Sequence, residues 1–362
     1  MNPGIVFTEK YLKLMFKQLR DATPEEVLAE LEHCRRENRR PVRVPRYFRS
    51  FFTEETFVAS TGFEMHVFKH DETARNLSVS KVQPKRKLIL YLHGGAFIYP
   101  PVFFHWRFLH DLALRTHCNT LMPVYPKSPE YDCEYSVKTL LDFYKNLSES
   151  KQYDEIHLVG DSAGACLCLV LAQETHKNGW QKPTTTTLLS PCVDLSHTKE
   201  KEMRALQDKD SMLQLDRVIQ LNAVWQGCLS ARHPWVSPIF GDFSGVDNLS
   251  VYYGSDEILQ PDDLFLKEVY EKAGKTGHFQ EVEGMFHTFV MFPIPEGFRA
   301  VKEIGMKIKN KSIMKENSIV TFNKQKSGKS NQIIVYFCNY YLYHHAKTDF
   351  FRPHYLCFIG WE

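Results

Sequence analysis

Short apolar runs alternate with helical stretches along most of the chain, and this alternation limits the possible folds more than any other feature. The apolar runs read as strands at 87–93, 119–126, 155–160, 184–191, 249–254 and 278–284. The stretches between them show helical spacing at 104–117, 134–147, 162–176, 262–274 and 296–309. This order predicts an α/β protein with a mostly parallel sheet and helices on both faces. A hairpin around Thr61-Gly62 is predicted ahead of it, in residues 57–69.

Two helical segments outside the alternation predict a cap over one large domain. Residues 195–236 lie between two core strands but contain only helical patterns, and residues 1 to about 52 are helical as well. Insertions between core strands often cover an active site. We therefore predict a domain over 1–310 with a cap from these two segments. Residues 311–362 follow the completed sheet and are predicted to be a poorly ordered or appended tail.

Charge and cysteine patterns argue against several classes of function. The formal net charge of the 362 residues is only +2, which gives no electrostatic case for nucleic acid. No run reaches the roughly 18–20 apolar residues of a membrane span, and no secretory signal is recognisable at the N-terminus. The nine cysteines show no metal-binding spacing, so we expect no metal and no cofactor. Reduced cysteines without a secretory signal predict a cytoplasmic protein.

The stretch "VGDSAGACL" (159–167) carries a candidate nucleophile, Ser162. Its alternative interpretation is a simple glycine-rich turn into a helix. However, Ser162 follows a buried strand and opens a helix, which is the context of a G-x-S-x-G nucleophile elbow. A side chain at Gly160 or Gly164 would collide with the reversing backbone. The N–H of Ala163, the next residue, is a candidate oxyanion donor together with the earlier loop "HGGAF" (93–97), which also ends a strand.

An acid and a base follow in the order that this fold uses. Asp256 lies two residues after the strand-ending Gly254 and is the predicted acid, with the adjacent Glu257 as its rival. Asp262 and Asp263 follow Pro261 and fit the start of the next helix. His287 comes directly after the last strand and is the predicted base. The predicted triad is therefore Ser162, Asp256 and His287.

Taken together, the motifs resemble those of the hormone-sensitive-lipase-like family of α/β hydrolases. The matching stretches, which cover about residues 85–310, are "HGGAF", "VYPKSPE" (YRLAPE-like in the family), "GDSAG", "LSPCVDLS", "GSDEIL" and "EGMFHTF". The resemblance implies an α/β-hydrolase fold with a helical cap and carboxylesterase or deacetylase activity. It also implies an oxyanion hole lined by the amides of Gly94, Gly95 and Ala163. The chain departs from the family's HGGG and GDSAGG at Ala96 and Ala165, and Ala96 lacks the freedom of glycine at positive φ.

The predicted function is hydrolysis of a small-molecule ester through an acyl-enzyme. The aromatic loop "FIYPPVFFHWRF" (97–108) and Trp225 suggest an apolar pocket for a short acyl chain or an aryl group, although such side chains can equally be core. The alternatives are an amidase, formamidase or deacetylase with the same triad, a ligand-binding protein that has lost the chemistry, and a membrane-attached lipase. A homodimer is possible, and no nucleic-acid partner is expected.

Overall fold

The computed structural model describes residues 23–70 and 86–309, which form one eight-stranded sheet flanked by helices. The strands are β1 (Phe52–Val58), β2 (Glu64–His70), β3 (Lys87–Leu92), β4 (Asn119–Pro123), β5 (Glu155–Asp161), β6 (Thr185–Leu189), β7 (Leu249–Gly254) and β8 (His278–Val282). The helices are α1 (Pro24–Asn38), α2 (Phe103–Thr116), α3 (Cys133–Glu149), α4 (Ala163–Lys177), α5 (Glu200–Leu206), α6 (Leu215–Gln226), α7 (Gln260–Lys272) and α8 (Pro295–Lys309).

The sheet has the strand order β1-β2-β4-β3-β5-β6-β7-β8. All pairs from β4 to β8 are parallel, whereas β1 pairs with β2, and β2 with β4, in antiparallel fashion. The prediction of a mostly parallel sheet is therefore confirmed. Because the parallel strands point the same way, the loops that follow β3, β5, β7 and β8 all leave from one edge, the carboxyl edge.

The sheet separates the core into two apolar layers, and β3 shows why. Leu88, Leu90 and Leu92 belong to a cluster that includes residues of α3, α4 and α7, while Ile89 and Tyr91 belong to a cluster with residues of α2 and α8. Successive side chains on a strand point to opposite faces. A strand that is apolar at every position is therefore buried on both faces, which is what its sequence predicts.

Most of the predicted elements occur, with small differences at their ends. The predicted hairpin is confirmed, since β1 and β2 are joined by a turn in which Gly62 has φ 81°. The strand predicted at 155–160 continues through Asp161, which matters for the site. The tail 311–362 and the first part of the N-terminal segment lie outside the described residues, so those predictions stay predictions.

Helices from the two predicted cap segments contact each other and the loop after β3. Val27 and Leu31 of α1, Leu221 of α6 and Ile98 of the loop form a small buried cluster of their own. Residues 195–236 contain α5 and α6, and within the described chain no strand lies between β6 and β7. These contacts place α1 and α6 against the loop that leaves β3 at the carboxyl edge of the sheet.

Candidate active site

Ser162 lies on a sharp turn between β5 and α4. Its backbone has φ 50° and ψ −120°, a strained conformation for a residue with a side chain. The turn is fixed by a hydrogen bond from the N–H of Ser162 to the carbonyl of Leu189 (2.8 Å) and by one from the N–H of Cys192 to the carbonyl of Ser162 (3.3 Å). The neighbouring strand end therefore holds the serine in place.

Gly160 and Gly164 are required by the closeness of the surrounding backbone. A Cβ atom on Gly164 would lie 2.0 Å from the carbonyl oxygen of Leu92, and one on Gly160 would lie 2.6 Å from the carbonyl oxygen of Gly164. Because the contacted atoms belong to the backbone, they cannot move aside without distorting the turn. The prediction that a side chain would collide at either glycine is confirmed.

A continuous chain of polar side chains runs from Ser162 to a buried carboxylate. The Nε2 atom of His287 lies 3.0 Å from the Oγ of Ser162, and its Nδ1 lies 2.5 Å from the Oε2 of Glu257. The other oxygen of Glu257 accepts a hydrogen bond from the N–H of Gly254 (2.8 Å). Glu257 is fully buried and His287 is 3% exposed. The structure thus brings together a hydroxyl, an imidazole and a carboxylate in the arrangement of a triad.

The carboxylate that contacts His287 is that of Glu257 and not that of Asp256, which was the predicted partner. Asp256 is only partly buried, and its Oδ1 accepts a hydrogen bond from the hydroxyl of Ser255. Its backbone N–H is bonded to the carbonyl of Met285 (3.0 Å). The turn after β7 points consecutive side chains in different directions, and only that of Glu257 reaches the histidine. The sequence showed both acids but not which one the turn would bury.

Charge around His287 changes its basicity. Burial lowers the pKa of His287, but the hydrogen bond and negative charge of Glu257, followed by the charges of Asp210 and Asp161, raise it above the ordinary value of an imidazole. Neighbouring carboxylates stabilise the protonated ring. A histidine in this setting is suited to accept a proton from Ser162.

The loop after β3 is tied to the end of β5 through the N–H of Gly94. This N–H donates to Oδ1 of Asp161 (2.9 Å). The prediction of Gly94 as an oxyanion donor is therefore wrong, because its donor is already used inside the protein. Within the described residues, the N–H of Gly95 makes no hydrogen bond to the protein. The N–H of Ala163 lies in the first turn of α4, where a helix offers it no acceptor.

Asp161 lies in the stretch "VGDSAGACL" directly before Ser162, and no role was predicted for it. It is 3% exposed, accepts a hydrogen bond from the hydroxyl of Tyr91, and lies 3.4 Å from Nε2 of His105. Burial raises the pKa of Asp161, but His105, Tyr91 and the amide of Gly94 together lower it below its usual value. The available signal was a charged residue directly after the buried strand "EIHLVG".

His93, the first residue of "HGGAF", contacts the loop after β3 and Tyr125 and has a structural role. Its Nδ1 donates to the carbonyl of Gly94 (2.7 Å), and its ring stacks on Tyr125 with centroids 4.6 Å apart. Burial lowers the pKa of His93 to about 3, with smaller contributions from the charges of His105 and Lys127. The ring is therefore neutral at physiological pH and holds the loop without adding charge.

Residues 95–99 form a tight turn that accepts positive φ at a non-glycine position. Gly95 has φ 113° and its carbonyl accepts the N–H groups of Ile98 and Tyr99, both at 2.9 Å. Ala96 has φ 52°. The departure from the HGGG pattern thus keeps a left-handed backbone, at a cost of about 1–2 kcal/mol for an L residue.

Helices α1 and α6 both contact this turn. Nη2 of Arg217 on α6 donates to the hydroxyl of Tyr99 (3.0 Å), and the same guanidinium contacts the carboxylate of Glu30 on α1. Nδ2 of Asn38 donates to the carbonyl of Ile98 (3.0 Å). Trp225 of α6 stacks on Phe97 with centroids 4.2 Å apart.

Both Phe97 and Trp225 are fully buried. This agrees with a core position for the pair. The predicted role of Trp225 as a pocket wall stays a prediction.

The fold and the polar chain at its carboxyl edge define the class of α/β hydrolases. A family model described as "alpha/beta hydrolase fold" matches residues 89–291. The chain is 31% identical over 223 residues to an esterase of Acinetobacter venetianus, covering 60% of this chain and 73% of that protein. It is 29% identical over 244 residues to an acetyl-hydrolase of Streptomyces hygroscopicus, covering 64% of this chain and 80% of that protein.

Solved structures show the same fold. A hormone-sensitive lipase from a metagenome library superposes with a TM-score of 0.67 at 21% identity, covering 85% of this chain and 98% of that one. Identity this low establishes the fold alone. With the matched family model, the chain belongs to the hormone-sensitive-lipase-like family of α/β hydrolases.

Proposed function

We propose that this protein hydrolyses small esters through an acyl-enzyme on Ser162, with His287 as base and Glu257 as acid. The chain is a carboxylic-ester hydrolase, as the esterase and the acetyl-hydrolase among its relatives indicate. The observation that carries the residue roles is the series Ser162–His287–Glu257, with contacts of 3.0 and 2.5 Å, in which Ser162 is half-buried and the other two are buried.

The geometry gives each side chain one task. Nε2 of His287 removes the proton of Ser162 as the hydroxyl attacks the ester carbonyl, and the imidazolium then donates this proton to the leaving alcohol. Glu257 fixes the ring tautomer by accepting from Nδ1 and stabilises the charged ring. A water molecule, activated by the same His287, releases the acid. The strained turn presents Ser162 to the substrate without further rearrangement.

The oxyanion donors that we propose are the N–H groups of Gly95, Ala96 and Ala163. Gly95 has its N–H unbonded within the described residues, and Ala163 is the first residue of α4, whose amino end carries a partial positive charge. The N–H of Ala96 also has no acceptor there and takes the place predicted for Gly94. Each such donor typically contributes ~10²–10³ in rate.

The substrate class remains a prediction from the sequence. Short acyl chains and aryl groups suit the aromatic loop after β3, and the acetyl-hydrolase relative fits a small acyl group. Deacetylation or amide hydrolysis uses the same triad and is the alternative. No helix in residues 23–70 and 86–309 is both long and apolar enough to cross a bilayer. The cytoplasmic location and the homodimer stay predictions.

A panel of p-nitrophenyl esters of increasing acyl length, run beside matched anilides, tests the proposal. We expect turnover that is fastest with the shortest acyl chains and faster with esters than with anilides. Ser162→Ala should lose activity to the background rate. Faster anilide turnover would move the assignment to an amidase, and activity that survives Ser162→Ala would contradict the role of Ser162.

A further inference from the structure

A second buried carboxylate, Asp210, lies beside the site but outside the triad. It belongs to the segment between α5 and α6 and is 0% exposed. Its Oδ1 accepts the N–H groups of Met212 (2.7 Å) and Leu213 (2.8 Å), which closes its own loop. Both neighbours are in the cap segment, so these two bonds alone would make Asp210 a local loop residue.

The other oxygen of Asp210 leaves the cap segment and binds the loop that carries the acid. Its Oδ2 accepts the N–H of Ile258 (2.8 Å), a buried hydrogen bond across 48 residues of sequence. Ile258 directly follows Glu257, whose carboxylate is 2.5 Å from His287. The peptide next to the acid is therefore held by the cap segment. Since a small displacement of a catalytic group can cost ~10²-fold in rate, the contact bears on catalysis.

Asp210 also contributes negative charge near the base. The carboxylates whose charges act on His287 are Glu257 by direct contact, Asp210 from the cap segment and Asp161 from the end of β5. Burial raises the pKa of Asp210, while the N–H of Leu213, the charge of His287 and the N–H of Ile258 oppose this. An imidazolium formed during acyl transfer is thus surrounded by acidic groups from three separate elements.

We propose that Asp210 is a positioning residue of this site: it holds the Glu257 loop through Ile258 and adds a second negative charge beside His287. The inference rests on the proposed function. It makes the cap segment part of the charge arrangement around the base, in addition to any role as a cover.

Asp210→Asn tests the proposal with the smallest change. An asparagine has nearly the same shape but only one acceptor oxygen, so it loses the charge and at least one of the three backbone bonds. Asp208→Asn is the matched control, because it makes the same charge change two residues earlier at an exposed position. The readout is the rate at which a fluorophosphonate labels Ser162 as a function of pH, since this reaction needs neutral His287 but no ester turnover.

In the pH profile of the labelling rate, we expect the plateau of Asp210→Asn to be about tenfold lower than that of wild type. The acid limb of the same profile should lie at lower pH than in wild type, because the imidazolium loses a stabilising charge. Asp208→Asn should match wild type in both respects. An acid limb that coincides with that of wild type overturns the proposal, even if the plateau is lower, since a purely structural contact gives that result.

A second variant covers the case in which Asp210→Asn does not fold. Asp210→Glu keeps the charge but moves the carboxylate by one methylene, so the acid limb should stay and the plateau should fall. An unchanged plateau would contradict the positioning role. Wild-type protein that is not labelled at any pH would instead contradict the proposed function itself, and the two failures are therefore distinguishable.

Discussion

Lys127 offers a stability prediction whose size follows from the structure. Its side chain is buried, 6% exposed, and among the described residues the one hydrogen-bond acceptor of its Nζ is the carbonyl of Tyr125, at a long 3.5 Å. Within the described residues, no carboxylate lies within ion-pair distance of Nζ. Burial lowers the pKa of Lys127 to about 8, from 10.5 for a free lysine. The folded protein therefore binds this proton less tightly than the unfolded chain does.

The magnitude follows from proton linkage. A difference of about 2.5 units at 1.36 kcal/mol per unit gives a penalty of about 3 kcal/mol, fully present below pH 8. The penalty decreases between pH 8 and 10.5, because there the unfolded chain is protonated while the folded protein is not. Lys127→Met keeps most of the side-chain volume and removes the amine. We expect it to raise the free energy of unfolding by about 3 kcal/mol at pH 7 and by only about 1 kcal/mol at pH 9.5.

Urea unfolding followed by circular dichroism at the two pH values measures this gain. Lys182→Met serves as the control, because Lys182 is exposed, and its stability should stay within about 0.5 kcal/mol of wild type. A Lys127→Met variant that is less stable than wild type at pH 7, or whose gain in stability is the same at both pH values, would contradict the expected cost of the buried charge.

Four further substitutions, one of them a control, test the contacts of the site. Glu257→Gln should lower kcat about 10³–10⁴-fold and move the acid limb of the kcat/KM profile to lower pH. Asp256→Asn should change kcat by less than about threefold. If steady-state assays show the same loss of kcat in both variants, the assignment of Glu257 as the acid is contradicted. Gly94→Ala places a Cβ 2.2 Å from Oδ2 of Asp161 and should cost at least ~10²-fold in kcat/KM, with thermal melting as the check on folding; near-normal activity would refute the packing. Tyr99→Phe removes the hydroxyl that accepts a hydrogen bond from Arg217. It should lower kcat up to about tenfold at constant KM, and a change confined to KM would contradict this prediction.

The alternating pattern predicted the parallel sheet because the spacing of apolar residues within each strand and helix indicates which of its faces are buried. The apolar residues of β3, for example, are buried on both faces, as their continuous run indicates. The placement of Ser162 and His287 followed from their positions after strand ends, which a parallel sheet gathers at one edge. These predictions depended on order and spacing, which the sequence contains.

The predictions that were wrong depended on the directions in which side chains and N–H groups point, and the spacing of residues along the sequence does not contain this information. Asp256 and Glu257 are adjacent, and only the path of the turn after β7 decides which of them is buried against His287. The family resemblance implied that the N–H of Gly94 is an oxyanion donor, but Asp161 from a different strand accepts it. Long-range partners of this kind, including Asp210 with Ile258, appear only when the strands are placed side by side.

Covalent labelling shows whether Ser162 is the nucleophile of this protein. Wild-type protein is incubated with a fluorophosphonate, and the adduct is located by mass spectrometry of its peptides. We expect one adduct per chain, on the peptide that contains Ser162, and none in Ser162→Ala. An adduct on another residue, or labelling that persists in Ser162→Ala, would contradict the claim.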